Sequence, residues 1–372
     1  MTQSMKRPAS SACRCRAGHI GMNPVRMGVI GCGVIGNVHL KVMSRVPLAR
    51  VVAVADIREE RAREAGAKYG IEGVYASADA LLADKQVEAV VLAMPACERL
   101  PIALAAYAKG KHVLTEKPVA MNAGDVRKMI GARGNLVSGC CSSRFRLFKS
   151  ADAAAEVVAS GALGELRVIH CRALKEAAGP PATPPPEWRL KKALNAGGIL
   201  TNWGCYDLDY LLGIAGWAVE PKVALAQVWP VPPAFVPHVA PGSEAETHLV
   251  ALIRCAGGAV ISFERGEYMA LRTEEAWRIV GSGGSLRLTM APGRGNVVIL
   301  DEASSEHGVV SRVVWQGDED WDGMHSGVDE DFVSAVREGR QPKTSLERAL
   351  VVARITDAIY ASAEQGRSVE VA

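Results

Sequence analysis

From residue 27 to about residue 140 the chain alternates short apolar runs with amphipathic stretches of helical period. Strands are predicted at 27–30, 49–55, 87–93, 112–115 and 136–140. Helices are predicted from the glycines after the first strand to about residue 44, and at 58–69, 101–109 and 122–132. Strands that alternate with helices build βαβ units and a parallel sheet.

The pattern changes after residue 150. A helix at 151–160 stops at Gly161, a strand follows at 167–173, and a Pro-rich loop occupies 179–186. Further strands are predicted at 223–228, 248–255, 259–265, 277–280, 285–289, 297–300 and 309–315. Turns as short as 256–258 and 281–284 join several of them, which implies an antiparallel sheet. Helices at 328–337 and 346–363 close the chain. The expected architecture is an α/β Rossmann domain with a parallel sheet over 27–150. An α+β domain with a large, open, mostly antiparallel sheet follows over 151–372, and its last helices can pack back on the first domain. Residues 1–26 stand apart: they carry Lys6, Arg7, Arg14, Arg16 and Arg26, no acidic residue and no apolar signal region. They read as a disordered tail, or as a start assigned too early, with Met22 or Met27 as the true start.

Composition narrows the function. A chain of 372 residues predicts two domains, and 49% hydrophobic with 22% charged residues is ordinary globular usage. The net charge of +3, from 43 basic and 40 acidic residues, gives no footprint for nucleic acid. The longest mostly apolar run, 223–240, is broken by Pro230, Pro232, Pro233 and Pro237, so no membrane span is expected. Nine cysteines, scattered and without paired C-x-x-C motifs, imply a reducing, cytoplasmic setting and no metal site.

The strongest local signal is Gly31-Cys32-Gly33-Val34-Ile35-Gly36, between a predicted strand and a predicted helix. The first glycine allows a tight turn, the second lets backbone approach a pyrophosphate, and the third lets the helix pack on the strand. Asp56 ends the second strand 20 residues beyond Gly36, where a carboxylate accepts from the adenosine ribose. That carboxylate favours NAD over NADP, whereas Arg58 offers a partner to a 2′-phosphate.

Glu116-Lys117-Pro118 follows the 112–115 strand, with Gly110-Lys111-His112-Val113-Leu114 before it. Here the chain resembles the Gfo/Idh/MocA family, the group of glucose–fructose oxidoreductase and inositol dehydrogenase. The resemblance continues through Ser160-Gly161-Ala162-Leu163-Gly164-Glu165, then Gly197-Gly198 with Gly204 and Asp209. It ends with Asp331-Phe332 up to Gly339-Arg340 and with 358–366. It covers about residues 27–372. It implies that Lys117 lies beside the nicotinamide and the substrate hydroxyl, with Glu116 in the same cofactor-side motif. A lysine at the C-terminal end of a parallel strand faces the ligand crevice on physical grounds too. There its ammonium can stabilise an alkoxide or relay a proton. The Lys117-Pro118 bond can be held cis at small cost, which would aim the lysine.

Two departures matter. Where many members carry Asp and His four residues apart, this chain has Asn202 and Tyr206, which share one helix face. It resembles the subset with tyrosine there. Tyr206 is expected as general acid/base, its pKa lowered by Lys117, with Asn202 positioning. Pro95-Ala96-Cys97-Glu98-Arg99 keeps the proline of the family's nicotinamide loop but replaces its Asn and His by Ala96 and Arg99. Arg144, Lys175, Trp188, Arg189 and Asp209 are candidate substrate contacts. The expected function is transfer of a hydride between NAD (or NADP) and a carbinol or ketone carbon of a sugar, polyol or related alcohol. The alternative is a non-redox member: an NAD-recycling lyase or glycosidase, or a nucleotide-binding sensor without turnover. An open sheet with one uncovered face implies a homodimer or homotetramer.

Overall fold

The computed structural model describes residues 23–180, 182, 183 and 186–372, so the basic segment up to residue 22 lies outside the described residues. The first unit runs β1 (Val25–Ile30), α1 (Val34–Met43), β2 (Ala49–Ala55), α2 (Glu59–Tyr69), β3 (Gly73–Tyr75), α3 (Ala78–Ala83) and β4 (Ala89–Leu92). It continues with α4 (Ala96–Ala108), β5 (His112–Thr115), α5 (Ala123–Arg133) and β6 (Ser138–Cys140). Its six strands lie in the order β3-β2-β1-β4-β5-β6, all parallel. Strand order reverses between β1 and β4, and the crevice beyond the strand ends at that switch point is where ligands bind such sheets.

A 3-10 segment, Cys141–Leu147, leads into α6 (Lys149–Ala159), β7 (Leu166–Glu176), α7 (Lys192–Asn195) and α8 (Cys205–Ile214). The sheet is completed by β8 (Pro221–Trp229), β9 (His248–Cys255), β10 (Val260–Met269), β11 (Glu274–Gly281), β12 (Gly284–Leu288), β13 (Asn296–Ser304) and β14 (Gly308–Gly317). Helices α9 (Trp321–Glu338) and α10 (Leu346–Gln365) and the short β15 (Val369–Glu370) end the chain. Nine strands lie in the order β14-β13-β12-β11-β7-β10-β9-β8-β15. All neighbours are antiparallel except β7 and β10, where the chain makes a crossover that carries α8 across the sheet.

Helix α8 is buried over nine of its ten residues, so it has no solvent face. Leu208, Leu211 and Ile214 join Ile169, Ile253 and Phe263 of the sheet in one core. Helix α9 turns back onto the first unit: Val328, Phe332 and Val333 share a core with Val29, Leu40 and Leu114. Leu346 and Ala349 of α10 join the other side of that sheet. No helix of the described residues is long and apolar enough to cross a membrane.

Several boundaries differ from the sequence reading. β1 begins at Val25, fully buried and paired with Ala49, inside the segment set apart as a tail. β3, α3 and β15 were not predicted, because two to six residues are too few to display a period. Helix α9 starts at Trp321, seven residues before the predicted 328, where the Asp320 side chain accepts from Gly323 N–H and caps the helix.

Candidate active site

The glycine turn after β1 is built by close contacts. Gly31 has φ +96°, and a Cβ there would lie 2.5 Å from the Ala93 carbonyl oxygen. A Cβ on Gly36 would lie 1.9 Å from the Gly31 carbonyl oxygen, so only glycine lets α1 start this close to β1. At Gly33 a Cβ would meet nothing within 4 Å; the loop is open on the side from which a ligand arrives. No side chain caps α1, which leaves its first N–H groups to an anion. Asp56 Oδ2 accepts from Cys32 N–H and Oδ1 from Arg58 N–H, both at 2.8 Å. Each oxygen keeps acceptor capacity for a hydroxyl. Val34 and Ile57 flank the loop at 89% and 92% exposure, an apolar pair suited to a flat ring. Ile35 packs partly into the core beneath, Pro95 is the N-cap residue of α4, and Arg58 is exposed at the N-cap of α2. These residues fit the dinucleotide that the motif implies. Ile57 escaped the sequence reading because an isolated apolar residue beside a charged helix start has no pattern.

Lys117 follows β5, and its bond to Pro118 is cis. Its Nζ donates to the Asn202 carbonyl oxygen at 2.5 Å and to Asn202 Oδ1 at 2.9 Å. It also lies 4.9 Å from the centroid of the Tyr206 ring. Asn202 sits in a π-helical turn, Leu200–Gly204, that runs into α8 and carries Tyr206 on its first turn. Asn202 and Tyr206 thus lie against the same lysine. An ammonium has three donors, and Asn202 takes two. Burial lowers the Lys117 pKa to about 8, with the Arg144 and Arg189 charges acting in the same direction.

The cation at the Tyr206 hydroxyl is Arg144, contrary to the expectation that Lys117 would govern it. Arg144 Nη1 donates to Tyr206 Oη at 2.5 Å. Burial holds the phenol well above its ordinary pKa, against the pull of that guanidinium, so the predicted lowering is not found. The ring packs edge-on against Phe145 at 5.1 Å and Trp203 at 5.8 Å between centroids. Arg144 is itself 1% exposed and also pairs with Glu116. It stands behind Tyr206 and is out of reach of a substrate. Glu116 continues inward: its Oε1 lies 3.0 Å from His39 Nε2, and His39 Nδ1 lies 2.8 Å from Asp329 Oδ1. His39, Glu116 and Cys141 form a compact set of the kind that can hold a metal ion, but both ring nitrogens of His39 are taken by carboxylates.

The family models match on this frame: "Oxidoreductase family, NAD-binding Rossmann fold" over residues 25–133, and "GFO/IDH/MocA C-terminal domain" over 152–287. The chain belongs to the GFO/IDH/MocA oxidoreductase family. Myo-inositol 2-dehydrogenase of Thermotoga maritima is 27% identical over 350 residues, 93% of this chain and 98% of that protein. The mouse (Mus musculus) trans-1,2-dihydrobenzene-1,2-diol dehydrogenase is 32% identical over 205 residues, 54% of this chain and 59% of its own length. The solved levoglucosan dehydrogenase in complex with NADH and L-sorbose shares the fold, with a TM-score of 0.78 at 23% identity over 94% of this chain and all of that one. The protein is thus an NAD-binding oxidoreductase family member with dehydrogenases among its relatives.

Within this GFO/IDH/MocA chain the remaining candidates separate. Asp209, expected at the substrate, is fully buried and accepts from Arg146 Nε at 2.5 Å, Ser142 Oγ at 2.7 Å and Thr344 Oγ1 at 2.8 Å. It ties α8 to the 3-10 segment and to the start of α10. Lys175 pairs with Glu275 at 3.6 Å and lies over Trp203. Trp188 is 38% exposed and Arg189 half-buried, on the loop whose charge reaches Lys117. Arg99, noted only as a departure, donates to the carbonyl oxygens of Met94, Glu116 and Pro118. It clamps the loop that carries Lys117.

Proposed function

We propose that this protein oxidises and reduces a secondary alcohol and its ketone on a sugar, polyol or related alcohol, with Tyr206 as general acid/base and Lys117 as its partner. A nicotinamide dinucleotide in the glycine cradle supplies or takes the hydride. NAD is favoured over NADP, because a 2′-phosphate would be placed against the Asp56 carboxylate.

One observation carries the reading. A guanidinium only donates, so Tyr206 Oη must accept from Arg144, and its own proton points elsewhere. Lys117 likewise keeps one N–H beyond the two held by Asn202. A substrate oxygen set against both finds an acid and a cation. In reduction Tyr206 gives its proton to the forming alkoxide while Lys117 stabilises the charge; in oxidation the proton returns. Trp188 and Arg189 form the substrate rim in this reading, and the open sheet joins copies into a homodimer or homotetramer.

The test is NADH formation in a screen of myo-inositol, levoglucosan, trans-dihydrodiols and common polyols, repeated with Tyr206→Phe. Loss of roughly 10²- to 10⁴-fold in kcat with NADH affinity unchanged is expected. Full turnover by the Phe variant would remove Tyr206 from the chemistry.

A further inference from the structure

Behind the reacting hydroxyl runs a line of buried charge. Arg144 reaches Tyr206 Oη and Glu116; Glu116 reaches His39; His39 reaches Asp329. Every member is at most 4% exposed at its side chain. The four come from separate places: α1, the end of β5, the 3-10 segment and α9.

Hydrogen-bond counting narrows the charge state to two. Ionised carboxylates only accept, and a neutral imidazole has only one N–H. His39 serves a carboxylate at each nitrogen, so it is an imidazolium if both carboxylates are ionised. Despite burial, Asp329 and Glu116 together raise the His39 pKa well above its ordinary value. The line then holds two anions and two cations and is neutral, as a buried cluster must be to avoid a large desolvation cost. With a neutral His39 the proton would rest on Asp329, whose carboxyl pKa burial pushes up, and the line would again be neutral; Glu116 would then have only a neutral N–H beside Arg144. The other groups facing His39 do not alter this count. Cys141 has its thiol pKa raised by burial, and burial lowers the His325 pKa to about 4, which leaves that histidine neutral. Facing Tyr206 besides Arg144 are Lys117, Glu116 and the Cys205 thiol, which burial raises to about 11.

We propose that His39, held as an imidazolium by Asp329, is a positioning residue for the reaction: it shares the Glu116 charge with Arg144 and so leaves more of the guanidinium to the Tyr206 oxygen. This inference rests on the reading of Tyr206 as acid/base. It makes Asp329 of α9 a determinant of how readily Tyr206 gives up its proton.

The test follows the phenol itself. Protein labelled with 3-fluorotyrosine, whose fluorine acidifies the ring, reports each tyrosine by fluorine NMR; Tyr206→Phe identifies the Tyr206 signal. His39→Asn should move the Tyr206 midpoint to higher pH by about one unit or more, a tenfold loss of phenolate at fixed pH. The charge-balanced His39→Asn/Asp329→Asn protein should bring it back towards wild type. Nitrogen NMR of histidine-labelled wild type needs no variant: one buried ring should keep both nitrogens protonated through neutral pH. A single protonated nitrogen there, or an unmoved Tyr206 midpoint in folded His39→Asn, overturns the inference and leaves the role of Tyr206 intact. A shifted midpoint together with full turnover by Tyr206→Phe would keep the coupling and remove that role instead.

Discussion

An ammonium buried beside a guanidinium is easily deprotonated, and Lys117 is placed that way. Burial first, then Arg144 and Arg189, bring it down to about 8, while the Glu116 charge acts the other way. Carbonyl reduction needs the charged form to stabilise the alkoxide. The reduction rate should therefore fall as pH rises through about 8, and a pH–rate profile checks it. A rate flat to about pH 10 would mean that the Lys117 charge is not required. At this scale the sequence was informative where chemistry demands a residue type at a fixed spacing: Gly31, Gly33, Gly36, Asp56 and Lys117. It misassigned Arg144 and Asp209, because a charged side chain in a sequence carries no sign of being buried behind another. His39 and Asp329 are 290 residues apart and meet only through tertiary packing.

Elements with a full period, such as α2, β9 and α10, were legible; three-residue β3 and the 3-10 segment after β6 were not. The mixed pairing of β7 with β10 was also hidden, since turns between neighbours say nothing of strands joined across a crossover. The outer face of the large sheet gives the element-scale prediction. Leu225 of β8 lies opposite Leu252 of β9, at 54% and 53% exposure, with Val250 and Trp229 beside them at 41% each. A cluster of large apolar side chains left in water marks an interface, and the partner proposed for it is a second copy. Light scattering at micromolar concentration should give a dimeric or tetrameric mass, and Leu252→Lys should lower it. A monomeric mass for the unaltered protein would contradict the proposal.

At the scale of the molecule, the candidate site draws on both sheets. The cradle comes from the turns after β1 and β2, Lys117 from the end of β5, Asn202 and Tyr206 from the approach to α8, and Asp329 from the returning α9. The α/β-then-α+β order was legible because each half keeps its own strand and helix rhythm over a hundred residues or more. The meeting of the two halves at Lys117 and Tyr206 entered only through resemblance, since no local pattern encodes it. The central claim is that this cradle binds NAD and presents it to that pair. Calorimetric titration with NADH and NADPH, on protein freed of nucleotide, tests it most directly. One NADH per chain, bound more tightly than NADPH, is the predicted result. Absence of NADH binding by the folded, nucleotide-free protein would contradict it.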